Sequence, residues 1–253
     1  MKAKIALLST LFLLISFTAG PCEESVRLTN GEWPPYTSQK LPGNGLISEI
    51  VTQAFALSGI KVEFTFFDSW KRCYVLAQKG RYDGSLAWAR TGEREKDFYF
   101  SDPVISHESV LFHLKQTPVT WMHIGDLKNL RISITNCYFY GDEFDKALTR
   151  GLITANVVYK DITHFHHLFQ GRTQVFPMDK EVGYHLLRSF FPEKEQRRVT
   201  HNLKPIAKFP TCLVISRQIP PDRATRLLDA FNRGVAHLRK TEKYRHLIVQ
   251  CPL

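Results

Sequence analysis

Hydrophobic positions along the chain switch repeatedly between a period of two and a period near 3.6. Residues 25–29 alternate around Val26 and Leu28 and predict a strand, broken by the stretch 31–35. After the turn Gly43-Asn44-Gly45, Leu46, Ile47, Ile50, Val51 and Phe55 share one face of a helix over 46–57, and Ser58-Gly59 ends it. Residues 61–67 read as a strand, 70–78 as a helix stopped at Gly80, and 83–87 as a short strand. Strand, helix, strand, helix, strand predicts a parallel sheet covered by helices.

The second half repeats the order of elements without repeating the sequence. Strands are expected at 131–135, 157–159 and 173–176, and helices at 141–149, 162–169 and 179–189. Two segments cross between the halves: 104–115, and later 209–216 (FPTCLVIS). Pro220-Pro221 then opens an amphipathic helix over 222–238, with Ala224, Leu227, Leu228, Phe231 and Val235 on one face, and a short helix over 242–249 follows. Two α/β lobes of about 100 residues each suit the usual domain size. The expected division puts 23–110 and 215–253 in one lobe and 111–214 in the other. Two crossing strands allow hinge closure on a ligand.

The N-terminus adds a compartment. Lys2 and Lys4 precede an apolar run over 5–17, which gives way to Thr18, Ala19 and Gly20. The run is shorter than the ~18–20 residues a membrane span needs, so residues 1–22 read as a secretory signal peptide. The expected product is an exported, periplasmic protein. Its formal charge of +10 includes those two lysines. The 24 acids are interspersed with the 34 bases, with no long Lys/Arg block, which argues against nucleic acid as a partner. The five cysteines, Cys22, Cys73, Cys137, Cys212 and Cys251, form no CxxC pair, so spacing suggests neither zinc nor a thioredoxin-like site and leaves any disulfide pairing open. The run HFHH (164–167) has no carboxylate at a spacing that completes a metal site. No metal and no cofactor is expected.

Four segments, in order, carry a resemblance to a known family. They are GEWPPYT (31–37), GRYDGSLAWARTGEREKDFYFSDPV (80–104), DLKNLRISI (126–134) and CLVISRQIPPDRATRLLDAFNRGVAHLRKTEKYRHLI (212–248). Together they resemble the family 3 bacterial extracellular solute-binding proteins, known best for polar amino acids. The resemblance implies a two-lobe, type II periplasmic-binding-protein fold (a Venus flytrap with two hinge crossings) and a ligand in the cleft between lobes.

It also implies roles for particular residues. Arg94, six positions before Phe100, matches the arginine that holds a ligand carboxylate, a task suited to a forked guanidinium. The alternative is a salt bridge to Glu93, Glu95 or Asp97. Arg90 is either a second positive charge in the cleft or a surface group. Trp33 matches the first-loop aromatic that stacks on the ligand, or else packs on Pro34, Pro35 or Tyr36. Trp70 and Trp88 fall where cleft walls are expected, or in the core. Asp179 matches the carboxylate that receives a ligand ammonium, and as the residue before KEVGYHLL it is equally a helix N-cap. Asn136-Cys137-Tyr138 replaces the usual hydroxyl-bearing turn, and Ala87 and Ala89 replace small hydroxyl residues, so a different ligand headgroup is expected. The alternative for Cys137 is a buried strand-end thiol. The expected function is capture of a small, carboxylate-bearing, amino-acid-like solute by a monomer that serves a membrane transporter permease. The alternatives are a periplasmic sensory protein, or an enzyme on the same fold similar to cyclohexadienyl dehydratase. No Ser/His/Asp constellation demands catalysis, so no enzyme activity is expected.

Overall fold

A computed structural model describes residues 24–242, 244 and 245. The apolar N-terminal run, Cys22, Cys251 and most of the expected C-terminal helix lie outside the described residues. Among the described residues no helix is long and apolar enough to cross a membrane.

The first lobe is built from β1 (Ser25–Gly31), α1 (Leu46–Ala56), β2 (Lys61–Phe67), α2 (Trp70–Gln78), β3 (Gly84–Ala89) and the single turn α3 (Gly92–Glu95). β4 (Phe98–Leu114) leads out of it. The second lobe holds β5 (Ile132–Thr135), α4 (Asp142–Thr149), β6 (Ala155–Val158), α5 (Ile162–Phe169), β7 (Phe176–Asp179), α6 (Lys180–Phe190), α7 (Glu193–Gln196) and β8 (Val199–His201). β9 (Ala207–Ser216) returns, and α8 (Pro221–Leu238) packs on the first lobe. The main sheet runs β2-β1-β3-β9-β4-β7, with β8 also on β4, while β5 and β6 form a parallel pair. β1 is parallel to both β2 and β3, whereas β9 is antiparallel to its neighbours β3 and β4. The sheet is therefore mixed, parallel in its first strands and antiparallel where the chain crosses between lobes.

The face predicted for α1 is the buried one, and it meets α8. Phe55 and Phe231 lie 5.4 Å apart at that contact. Gly234 allows the close approach: a Cβ there would fall 2.1 Å from the Ala54 carbonyl oxygen. Asp83, from the first lobe, takes both prongs of Arg223 on α8, at 2.9 and 3.0 Å, and also accepts from the Arg27 amide.

Two expectations shift. The crossing expected at 104–115 is the far part of a single 17-residue strand that begins at Phe98. Register shifts flank Pro103 and absorb the residue that has no N–H to donate. The strand expected at 173–176 lies three residues later, because β7 takes its register from β4, with Phe112 opposite Phe176 and Ser109 opposite Asp179. Pro177 is tolerated because β7 closes that edge of the main sheet.

Candidate functional site

Two connected chambers lie between the lobes. The outer one, about 570 Å³, is lined by Lys71, Tyr74, Val75 and Gln78 of the first lobe and by Asp142 and Asp145 of the second. The inner one is about 70 Å³, walled by Trp33, Trp70, Ala87, Ala89, Phe209 and Thr211. Trp88, Arg94, Cys137, Tyr138 and Phe139 line both.

Arg94 sits at the junction. Thr91 caps α3, its hydroxyl accepting the Arg94 amide at 3.3 Å, and this aims the side chain inward. The guanidinium donates to the carbonyl of Ala89 in the first lobe at 2.9 Å and to that of Cys137 in the second at 3.3 Å. Its carbon lies 4.9 Å from the centre of the Trp88 ring. Neighbouring acids are engaged elsewhere: Glu93 with Lys96, Glu95 with Arg90, and Asp97 with the Tyr74 hydroxyl. Among the described residues Arg94 has no ion-pair partner. Burial holds its pKa below the usual arginine value, yet a guanidinium keeps its proton. The site therefore presents a cation with no direct ion pair, and the Asp145 carboxylate of the second lobe acts on it only through space.

The walls are aromatic. Trp33 and Trp70 meet edge to face at 6.5 Å, Trp70 and Trp88 at 5.6 Å, and Tyr74 and Trp88 at 5.3 Å. Gly31 makes room for Trp70, since a Cβ there would fall 2.7 Å from the indole. The Trp70 Nε1–H is buried without a hydrogen-bond partner among the described residues. Trp88 is turned by an irregularity in β3, where the register against β9 shifts between Ser85 and Trp88 and Ala87 adopts φ of 66°. Such bulges re-aim side chains near functional sites. The Trp88 indole N–H donates to Ser85 Oγ at 2.8 Å. Trp33 also packs on Tyr36, with centroids 4.9 Å apart, so the packing alternative and the wall position coexist.

Cys137 is exposed at a φ of 66°, not buried at a strand end, and it is its carbonyl that meets Arg94. Tyr138 is held from below. Its hydroxyl donates to Asp161 Oδ2 at 2.9 Å, while Thr135 donates to Asp161 Oδ1 at 2.7 Å. With its one proton so used, Thr135 Oγ1 accepts from His164 Nε2, 2.8 Å away, and His164 Nδ1 accepts from Ser133, 2.7 Å away. Burial raises the pKa values of Tyr138 and Asp161, and raises Asp145 to about 6. The histidine run thus supplies a buried prop, His164, rather than a ligand set. Among the described residues no group of His, Cys, Asp or Glu is arranged to hold a metal ion.

His164 carries a testable pH signature. Burial lowers its pKa from 6.5 to about 3. An unfolded chain gains this proton below about pH 6.5, while the fold refuses it, so the stability that neutral His164 contributes is lost as pH falls, by at most ~1.4 kcal/mol per pH unit. The melting-temperature advantage of wild type over H164Q is expected to be largest near pH 7 and to shrink towards pH 4. An advantage independent of pH would mean that His164 is not neutral in the fold.

Two of the eight sequence candidates lie apart from the chambers. Arg90 turns outward, pairing with Glu95 at 3.0 Å and covering the Phe100 ring. Asp179 caps α6, with Oδ1 accepting from the amides of Glu181 and Val182, both at 3.0 Å. Its Oδ2 accepts from His107 Nδ1 at 3.1 Å and from the Tyr36 hydroxyl at 3.4 Å. Lys180 turns instead to Glu181 and Glu108. Sequence reasoning missed Tyr74, Phe139, Phe209, Thr211 and His107. Tyr74 alone left a signal, one helical turn after Trp70.

Solved structures share this architecture. A histidine kinase sensor domain with similarity to periplasmic binding proteins has a TM-score of 0.73 at 16% identity, covering 91% of this chain and 97% of its own. The substrate-binding protein of an amino acid ABC transporter has a TM-score of 0.71 at 18% identity, covering 90% and 99%. An ancestral amino-acid-binding protein described as a precursor of cyclohexadienyl dehydratase has a TM-score of 0.70 at 18% identity, covering 89% and 94%. These likenesses establish the two-lobe periplasmic-binding-protein fold. No curated protein sequence matches the chain. The family model for bacterial extracellular solute-binding proteins, family 3, matches residues 27–250, nearly all of the 253, and the chain belongs to that family.

Proposed function

We propose that the protein is an exported, monomeric binding protein that captures a small carboxylate-bearing solute between its lobes and hands it to a membrane transporter. The observation that carries this reading is Arg94. It is a guanidinium with no ion-pair partner among the described residues, anchored by one carbonyl from each lobe and set against a tryptophan face. Closing the lobes over an acid removes water from that pair and strengthens it. The aromatic walls then supply apolar contact at low entropic cost. Export by removal of residues 1–22 and a transporter as recipient belong to this reading; membership of an extracellular solute-binding family supports export, and the similarity to an amino acid transporter's binding protein supports the recipient. The similarity to a kinase sensor domain favours a second reading, in which the same capture event is sensed rather than transported.

Native mass spectrometry of the exported protein tests capture directly. The expected result is a bound small acid that is released on denaturation, or, for an empty protein, a thermal shift with at least one member of a carboxylic acid panel. A protein that holds nothing and is stabilised by no acid would overturn the assignment.

A further inference from the structure

Building on the reading of Arg94 as a carboxylate site, we propose that His107 is a specificity-determining residue and that the ligand is an acid with an apolar body and no α-ammonium group. A carboxylate offers about four acceptor positions. All of those on Asp179 are filled from within the protein, by Glu181 N, Val182 N, His107 Nδ1 and the Tyr36 hydroxyl. His107 is itself buried between the lobes, on the crossing strand β4. Its ring lies 4.8 Å from Trp33 and 6.4 Å from Phe209, two walls of the inner chamber, and its Nε2 is 2.9 Å from the hydroxyl of a third, Thr211. The imidazole therefore stands between Asp179 and the chamber, and occupies the acceptor that a ligand cation would seek.

The chamber has complementary chemistry. Among the described residues Arg94 is the one charged side chain that lines it, and Trp70 adds a buried N–H with no acceptor. Charged and polar donors await an acceptor, and no carboxylate lines this chamber; Asp142 and Asp145 stand in the outer one, where Asp145 acts on Arg94 through space. An α-ammonium held there would be desolvated beside Arg94 with no counter-charge in the same chamber, which is unfavourable. An acid without it meets the arginine, the indole N–H and the aromatic walls with nothing left unpaired.

The test is titration calorimetry with matched pairs that differ only in the ammonium: 3-phenylpropanoate against L-phenylalanine, and glutarate against L-glutamate. Wild type is expected to bind the deaminated member at least ~10-fold more tightly in each pair that binds. H107A, which uncovers Asp179, is expected to narrow that gap by about tenfold or more. D179N, which keeps a capping side chain, is expected to leave wild-type selectivity unchanged, and it stands in should H107A fail to fold. Tighter binding of the amino acids by wild type overturns the proposal while leaving the carboxylate site intact, and loss of that binding in D145N would place the ammonium in the outer chamber. Loss of amino acid binding in D179N overturns the proposal too. If neither class binds wild type, the carboxylate reading fails and the proposal goes with it.

Discussion

Replacing Arg94 with alanine is expected to cost about 3 kcal/mol of acid binding, a loss of roughly 100-fold or more, while the protein stays folded. Among the described residues the guanidinium has no ion-pair partner, and its acceptors there are the carbonyls of Ala89 and Cys137. Removing it takes away the charge and both fork donors at once. Little in the fold depends on it, because its N-terminal cap uses the backbone amide, which alanine retains. Lysine at the same position keeps the charge but loses the fork, so R94K is expected to fall between wild type and R94A. Calorimetry against whichever acid the wild type binds, with a melting curve for each variant, checks this. Unchanged affinity in R94A would remove the arginine from the binding chemistry altogether.

The largest effect on stability is expected at Phe112. This side chain is fully buried in β4. It stacks on Phe176 at 5.5 Å and meets Phe165 and Tyr184 edge to face at 5.9 and 5.3 Å. Gly183 of α6 leaves space for it, since a Cβ there would fall 2.3 Å from Phe112 Cζ. Truncation to alanine opens a cavity among rings that belong to β7, α5 and α6. The expected loss is about 3–5 kcal/mol, a large share of the ~5–15 kcal/mol that holds a typical domain folded. Denaturant melts of F112A give the number directly. A loss below about 1 kcal/mol would mean that the surrounding rings collapse into the space.

Much of the architecture can be read from periodicity. The apolar faces of α1 and α8 are those that pack together, and β2, α2 and α5 fall where their patterns place them. What periodicity misses depends on pairing between distant strands. β4 hides behind Ser101-Asp102-Pro103 because only its partner β9 shows that the bulged stretch continues one strand. The cleft divides in the same way. Trp33, Trp88 and Arg94 stand in segments whose local order is distinctive. His107 and Thr211 do not: each is one polar residue in a crossing segment. They become neighbours through the antiparallel register that sets Ile105 opposite Thr211 and His107 opposite Phe209. Asp179 satisfied its capping role in sequence, but its commitment to His107 and Tyr36 is a tertiary fact. Thr135, Asp161 and His164 likewise form a relay under Tyr138 only after β5 and α5 have packed.

The crossing between lobes is a hydrogen-bonded ribbon, with β4 and β9 paired from Phe98 opposite Ser216 to Ser109 opposite Ala207. Mechanically this is a leaf spring rather than a pair of strings. Sliding one strand along the other, or pulling them apart, would rupture ladder bonds, whereas twisting and flexing the strip leaves them intact. The irregular stretch around Pro103 is where such a strip yields most readily. The lobes are thus confined to a few soft directions even when the cleft is empty. Capture then freezes few degrees of freedom, and little of a ligand's contact energy is spent on finding the closed shape.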